Sequence, residues 1–160
     1  MDIEIQKAEL TDIDLLIQWR MRVLHDVFSI PDNQPMKEIE QANTIYYQSA
    51  LQDGGHIACF AYHKNEIVGC GGICLSKEMP SPENFSGQCA YLMNIYTCPR
   101  FRGLGVGKMV VQWLVEQAVQ RNITKIYLES SISGRTLYEK MGFLDMPDMM
   151  KLQVSKNNDV

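Results

Sequence analysis

The sequence predicts an α/β protein, a mixed sheet covered by helices. Three observations carry this: strand-like runs are mixed with helical ones, an early pair of strands is joined by a short turn, and later runs repeat as strand, turn, helix, strand. At 160 residues, the chain fits one domain over 1–160, with a tail from Ser155 expected to fray.

Residues 3 to 8 alternate Ile3 and Ile5 with polar neighbours, as a strand does. Thr11 and Asp14 form a capping-box pattern, after which Leu16, Trp19, Val23 and Val27 recur on one helix face. The run from Pro31 to Pro35 breaks that helix. A second is expected from Met36 to Leu51, with Ile39, Ala42, Tyr46 and Ala50 facing inward and Asp53-Gly54-Gly55 as the stop. His56 to His63 and Ile67 to Leu75 read as strands flanking the turn Lys64-Asn65-Glu66. Residues 76 to 88, with Pro80, Pro82 and Gly87, read as a surface loop. Ala90 to Thr97 is a strand, and Met109 to Arg121 a helix burying Val111, Leu114, Val115 and Ala118, with Asn122 as its C-cap. Thr124 to Ser130 is a strand, Arg135 to Met141 a short helix closed by Gly142, and Lys151 to Val154 a last strand.

Composition narrows the function classes. The apolar fraction of 46% and charged fraction of 21% are those of a globular chain. A net charge of −4 argues against a nucleic-acid surface. Five cysteines without a C-x-x-C pair suit neither a disulfide framework nor a zinc site. The N-terminus lacks the basic start and apolar core of a signal peptide, and no apolar run approaches the roughly 20 residues of a membrane span. The expectation is a cytoplasmic protein with no nucleic-acid or membrane partner and no metal. A homodimer is left open. His25, His56 and His63 lack metal-ligand spacing and read as surface or strand-end residues. Met146, Met149 and Met150 read as packing residues, and Cys98 as a small buried filler, with mild activation by the neighbouring helix terminus the alternative.

The segment from Tyr91 to Lys108 carries the chemistry. A strand runs into Gly103, Gly105 and Gly107 and then into a helix, which directs backbone N–H groups and the positive end of a helix dipole at one spot. Glycine lets a phosphate reach the backbone and permits φ > 0. The Walker A pattern fails because Met109 follows Lys108 and Arg102 replaces its upstream glycine; the dinucleotide fingerprint fails because the glycines are evenly spaced. A turn that merely joins strand to helix is the alternative.

Two motifs settle the direction. Arg102-Gly103-Leu104-Gly105-Val106-Gly107 resembles the R/Q-x-x-G-x-G/A motif of the GNAT superfamily of N-acetyltransferases, and Leu137-Tyr138-Glu139-Lys140-Met141-Gly142-Phe143 resembles its L-Y-x-K-x-G-F signature. The close resemblance spans about Ile67 to Phe143. It implies a mixed, mostly antiparallel sheet whose central strands splay apart, here Ala90 to Thr97 and Thr124 to Ser130. It implies acetyl-coenzyme A as cosubstrate and an amine, small molecule or peptide, as acceptor. The backbone of Ile95, Tyr96 and Thr97 would pair with the pantetheine arm, and Arg102 with Gly103, Leu104, Gly105, Val106, Gly107 and Lys108 would hold the pyrophosphate.

The same resemblance makes Tyr138 the expected proton donor to the leaving thiolate; a ring packed in the core is the alternative. Leu137 and Phe143 read as core. Glu129 is the candidate base, against a solvated strand-end carboxylate, with deprotonation through water also open. Asn94 is read as positioning substrate or as an edge-of-core hydrogen bond. Many members place Asn where this chain has Ser131; Ser131 and Ser133 are read as pantetheine contacts or helix caps. A fold that holds coenzyme A without turnover is the alternative function, and a longer acyl chain or a hydroxyl acceptor a third.

Overall fold

Five strands, β1 (Glu4–Lys7), β2 (His56–His63), β3 (Glu66–Lys77), β4 (Gln88–Thr97) and β5 (Lys125–Leu128), pair in the order β1-β2-β3-β4-β5 in a computed structural model that describes residues 1–154. The first four pair antiparallel and β5 joins β4 in parallel. The expected mixed sheet is therefore present. The chain divides into two compact units, Met1–Glu129 and Ser130–Val160. The tail from Ser155 lies outside the described residues.

In the first unit α1 (Ile13–Val27), α2 (Lys37–Asp53) and α3 (Val106–Gln120) accompany the sheet. The capping box sits earlier than expected, on Glu9 and Asp12 around a 3-10 turn that precedes α1. α1 buries Leu16, Ile17, Trp19, Val23 and Leu24 and leaves Val27 exposed, because the helix ends there and Ser29 turns the chain at φ 52°. α2 is rotated from the expected face: Tyr47 and Ala50 are buried while Ile39, Ala42 and Tyr46 are exposed. The Trp19 ring meets Phe60 and Tyr96 edge-on, each at 6.4 Å, joining α1 to β2 and β4. α3 begins three residues before its expected start and buries Val106, Val110, Val111, Leu114 and Ala118. Asn122 caps it in the left-handed region at φ 58°, with Ile123 N–H donating to Ala118 O and Asn122 N–H to Val119 O, a Schellman closure.

Successive residues of β3 separate the two faces of the sheet. A Cβ on Gly71 would meet Val110, Ile95 and Leu114, and one on Gly72 would meet the His56 ring, which stacks edge-on against Tyr46 and Tyr47 of α2. Gly69 is tighter in kind, since its Cβ would lie 2.8 Å from the Tyr96 backbone oxygen and 3.0 Å from Val106. A backbone atom cannot swing aside as a side chain can. Gly69→Ala is therefore expected to cost about 1–3 kcal/mol as overpacking, read as a lower Tm in thermal unfolding; an unchanged Tm would mean that the β3–α3 approach is looser than the geometry states.

β4 carries a bulge. Cys70 pairs with Tyr96 and Gly72 with Met93, so Asn94 and Ile95 stand opposite Gly71 alone, and Asn94 takes φ 59°. Asn tolerates that conformation better than most side chains. β4 and β5 pair only from Cys89↔Lys125 to Leu92↔Leu128. Beyond Leu92, β4 continues without a β5 partner.

The second unit holds α4 (Arg135–Lys140). Gly142 sits at φ 94°; its N–H donates to Glu139 O and that of Phe143 to Tyr138 O. The Tyr138 and Phe143 rings meet edge-on at 5.7 Å, the hydrophobic contact that accompanies such a closure. Leu137, Tyr138 and Phe143 are half-buried. The strand expected at Lys151 to Val154 does not form, and a run this short without a ladder partner has nothing to hold it extended. Met146, Met149 and Met150 are exposed instead of packed.

Candidate functional site

The turn before α3 is built as a phosphate-binding turn requires. Gly103 stands at φ 75° and Gly105, the N-cap of α3, at φ 87°. Beyond the adjoining residues of the chain, no atom of the described residues lies within 4 Å of where a Cβ on either would sit. Glycine is required there by the backbone, and the space above it is open. No side chain caps α3, so the first-turn amides at Val106, Gly107 and Lys108 have no intrahelical acceptor. Leu104 and Lys108 are exposed beside them.

Arg102 is fixed by its own contacts. Its Nε donates to the Thr97 carbonyl at 3.1 Å, its Nη2 pairs with Asp26 at 2.9 Å, and its guanidinium lies 5.6 Å from the Tyr96 ring centroid. The arginine thereby ties the end of β4 to α1 and the turn. Its exposed ion pair contributes little to stability. Tyr96 is buried in the α1 core, Ile95 directs its side chain towards α3, and Cys98 is buried as expected of a filler.

Glu129 is exposed just past β5, next to the Tyr91 hydroxyl. Tyr91 is pushed up to about 12, first by burial and then by the Glu129 carboxylate, so its hydroxyl stays protonated. In the second unit, Ser131 is exposed; its Oγ accepts from Gly134 N–H at 3.2 Å and lies 3.3 Å from Ser133 Oγ. Gly134, not a serine, is the N-cap of α4. Burial raises the Tyr138 hydroxyl above its ordinary value, which keeps it a donor at neutral pH. Among the described residues no group of His, Cys, Asp and Glu is placed to hold a metal, and no helix is long and apolar enough to cross a membrane.

Sequence reasoning missed a cavity of about 230 Å³ beside the β4 bulge, lined by Arg20, Asn43, Tyr46, Tyr47, His56 and Asn94, with Cys74 and Met93 completing it. Arg20 Nη1 donates to Asn94 Oδ1 at 2.9 Å and its Nε to Asn43 Oδ1 at 3.1 Å. His56 opens β2 at the strand end but is buried, contrary to a surface reading. Its Nδ1 meets the Tyr46 hydroxyl at 2.9 Å, and its Nε2 has no partner among the described residues. Burial and the Arg20 charge lower it to about 4, so the ring is neutral. One signal was available: Arg20 lies four residues from both Leu16 and Leu24, inside the apolar stripe of α1.

The mixed sheet and its glycine turn into α3 place the protein among the acetyltransferase folds. Residues 18–143 match the Acetyltransferase (GNAT) family, and the chain belongs to that family. It is similar to the crystal structure of a predicted acetyltransferase with acetyl-CoA from Clostridium acetobutylicum, at 32% identity and TM-score 0.84 over 95% of this chain and 96% of that one. A 66-residue segment is 35% identical to the uncharacterized N-acetyltransferase ycf52 of Pyropia yezoensis, covering 41% of this chain and only 38% of that relative. The glucosamine 6-phosphate N-acetyltransferase of Arabidopsis thaliana is 24% identical over 106 residues, 65% of this chain and 66% of its own length.

Proposed function

We propose that the chain, working as one domain over residues 1–160, transfers the acetyl group of acetyl-coenzyme A to a primary amine by direct attack with both substrates bound. The open, uncapped turn from Gly103 to Lys108 carries this reading, since it presents free amides and a helix dipole where a pyrophosphate would be held. The unpartnered edge of β4 supports it, because an extended pantetheine arm can pair with strand backbone as an added strand does. Ile95 and Thr97 face that edge, Thr97 with its N–H because Arg102 takes its carbonyl, whereas Tyr96 turns its backbone to Cys70 of β3 and would flank the arm without pairing with it.

The cosubstrate supplies an activated thioester. An ordinary amine, with a pKa near ~10, is protonated at neutral pH and must lose that proton before its nitrogen attacks. The new C–N bond then forms as the C–S bond breaks, and the thiolate takes up a proton. In this reading Glu129, or water beside it, accepts the amine proton, and the Ile95 N–H at the bulge stabilises charge on the thioester oxygen. Tyr138 protonates the sulfur, and Ser131 contacts the pantetheine.

Coenzyme A release in the presence of acetyl-coenzyme A and a panel of amines tests the proposal. Binding without release to any amine would leave a coenzyme A binding module. The base has its own test. Glu129→Gln is expected to lower turnover most at pH values where the amine is protonated and to regain part of the loss as pH rises. A pH–rate profile identical to the parent would remove Glu129 from the mechanism.

A further inference from the structure

The cavity beside the β4 bulge contains a charge that the fold does not balance. Arg20 is half-buried, its guanidinium is a cation, and among the described residues no carboxylate forms an ion pair with it. Its two protein partners are neutral amide oxygens from α2 and the bulge, each accepting one hydrogen bond. Nη2 donates to nothing among the described residues, so one arm of the guanidinium fork is unused. A half-buried cation normally gains a carboxylate or is pushed towards solvent, because desolvation is costly without compensation. Here the amides hold the guanidinium in place and leave the compensation to something else.

The rest of the lining has no competing charge. Tyr46, Tyr47 and Met93 contribute apolar surface, His56 is neutral, and burial raises the Cys74 thiol so that it stays protonated. The cavity is smaller than the roughly 300–1,000 Å³ of drug-sized ligand sites, which limits the occupant to a small molecule or a small end of one. It adjoins Asn94, the residue whose left-handed backbone forms the bulge immediately before Ile95.

We infer that this cavity is the acceptor subsite and that Arg20 selects small primary amines carrying an anionic group, a carboxylate or a phosphate, through the free arm of its guanidinium. The inference rests on the acetyltransferase reading and names the substrate class for it. A guanidinium matches either anion in a two-pronged geometry, so the two sources are separated by experiment.

The test begins with the unaltered protein and saturating acetyl-coenzyme A. Coenzyme A release is measured with matched amines: α-amino acids against their amides, and O-phosphoethanolamine against ethanolamine. The charged member of at least one pair is expected to exceed its neutral partner by about 10- to 100-fold in kcat/KM, the range for one charge-assisted contact. Whichever pair shows the difference identifies the anion. Arg20→Gln should then erase that preference by raising KM for the charged amine far more than KM for its neutral partner or for acetyl-coenzyme A. Arg20→Lys should restore part of it, since the charge returns without the fork.

A merely structural Arg20 would lower both members of a pair equally. Equal use of charged and neutral amines by the parent protein would overturn the inference and leave the acetyltransferase reading standing. Release with no amine of either kind, although acetyl-coenzyme A binds, would overturn the acetyltransferase reading and the inference with it. The parent comparison needs no variant, so a poorly folded Arg20→Gln does not remove the test.

Discussion

Gly105→Val is expected to abolish acetyl-coenzyme A binding, with an affinity loss of at least about 100-fold, corresponding to two charge-assisted backbone contacts at the lower end of their range. Two effects combine at this residue. Its φ of 87° is unfavourable for any side chain and worst for a β-branched one, and strain of this kind costs about 1–3 kcal/mol. A valine also fills the open space above the turn and denies an anion its approach to the α3 amides. The two effects are separable. Gly142 in the second unit has φ 94° and the same empty surroundings, so Gly142→Val carries the backbone penalty without touching the turn. Calorimetric titration of both variants, each checked for folding by thermal unfolding, should show binding lost in Gly105→Val and kept in Gly142→Val. Unchanged affinity in a folded Gly105→Val protein would place the pyrophosphate elsewhere.

The turn was legible in the sequence because its conformation is decided locally. Glycines at 103 and 105 relieve a steric restriction within one residue, and the helix that follows needs only its own periodicity. The closing turns after α3 and α4 are local in the same way. Asn122 and Gly142 supply the left-handed residue, and after α4 Phe143 adds the apolar contact with Tyr138, which also explains why the second motif ends in Gly-Phe.

The α2 face was not legible. Its apolar residues form one broad arc from Ala42 and Tyr46 through Ile39 and Ala50 to Tyr47, and a period of 3.6 cannot choose which edge of the arc is buried. Packing of Tyr47 and Tyr46 against the His56 ring, set by a strand from later in the chain, makes the choice. The β4 bulge is hidden for a related reason: it exists only in the register with β3, where Gly71 faces two residues. The cavity compounds these gaps. Arg20, Asn43, His56 and Asn94 come from α1, α2, β2 and β4, and no local pattern brings four such residues together.

Tyr138→Phe is expected to lower turnover by about 10² to 10⁴, the range for loss of one general acid, while leaving the fold and acetyl-coenzyme A affinity intact. The ring has a structural task of its own, the edge-on contact with Phe143 that closes α4, and phenylalanine retains it. Among the described residues the hydroxyl has no hydrogen-bond partner, so removing it strands none of them. Burial holds the hydroxyl above its ordinary value, which keeps the proton in place through neutral pH and makes it available to a thiolate of ordinary pKa, about 8 to 9. Steady-state coenzyme A release and thermal unfolding of the parent and the variant decide between the two tasks. A purely structural tyrosine would give an unchanged rate in the folded fraction, whereas a donor gives the large rate loss with an unchanged Tm. Substrates should sharpen the contrast: an activated thioester whose thiol is more acidic needs less help to leave, so the Tyr138→Phe deficit should shrink with such a donor.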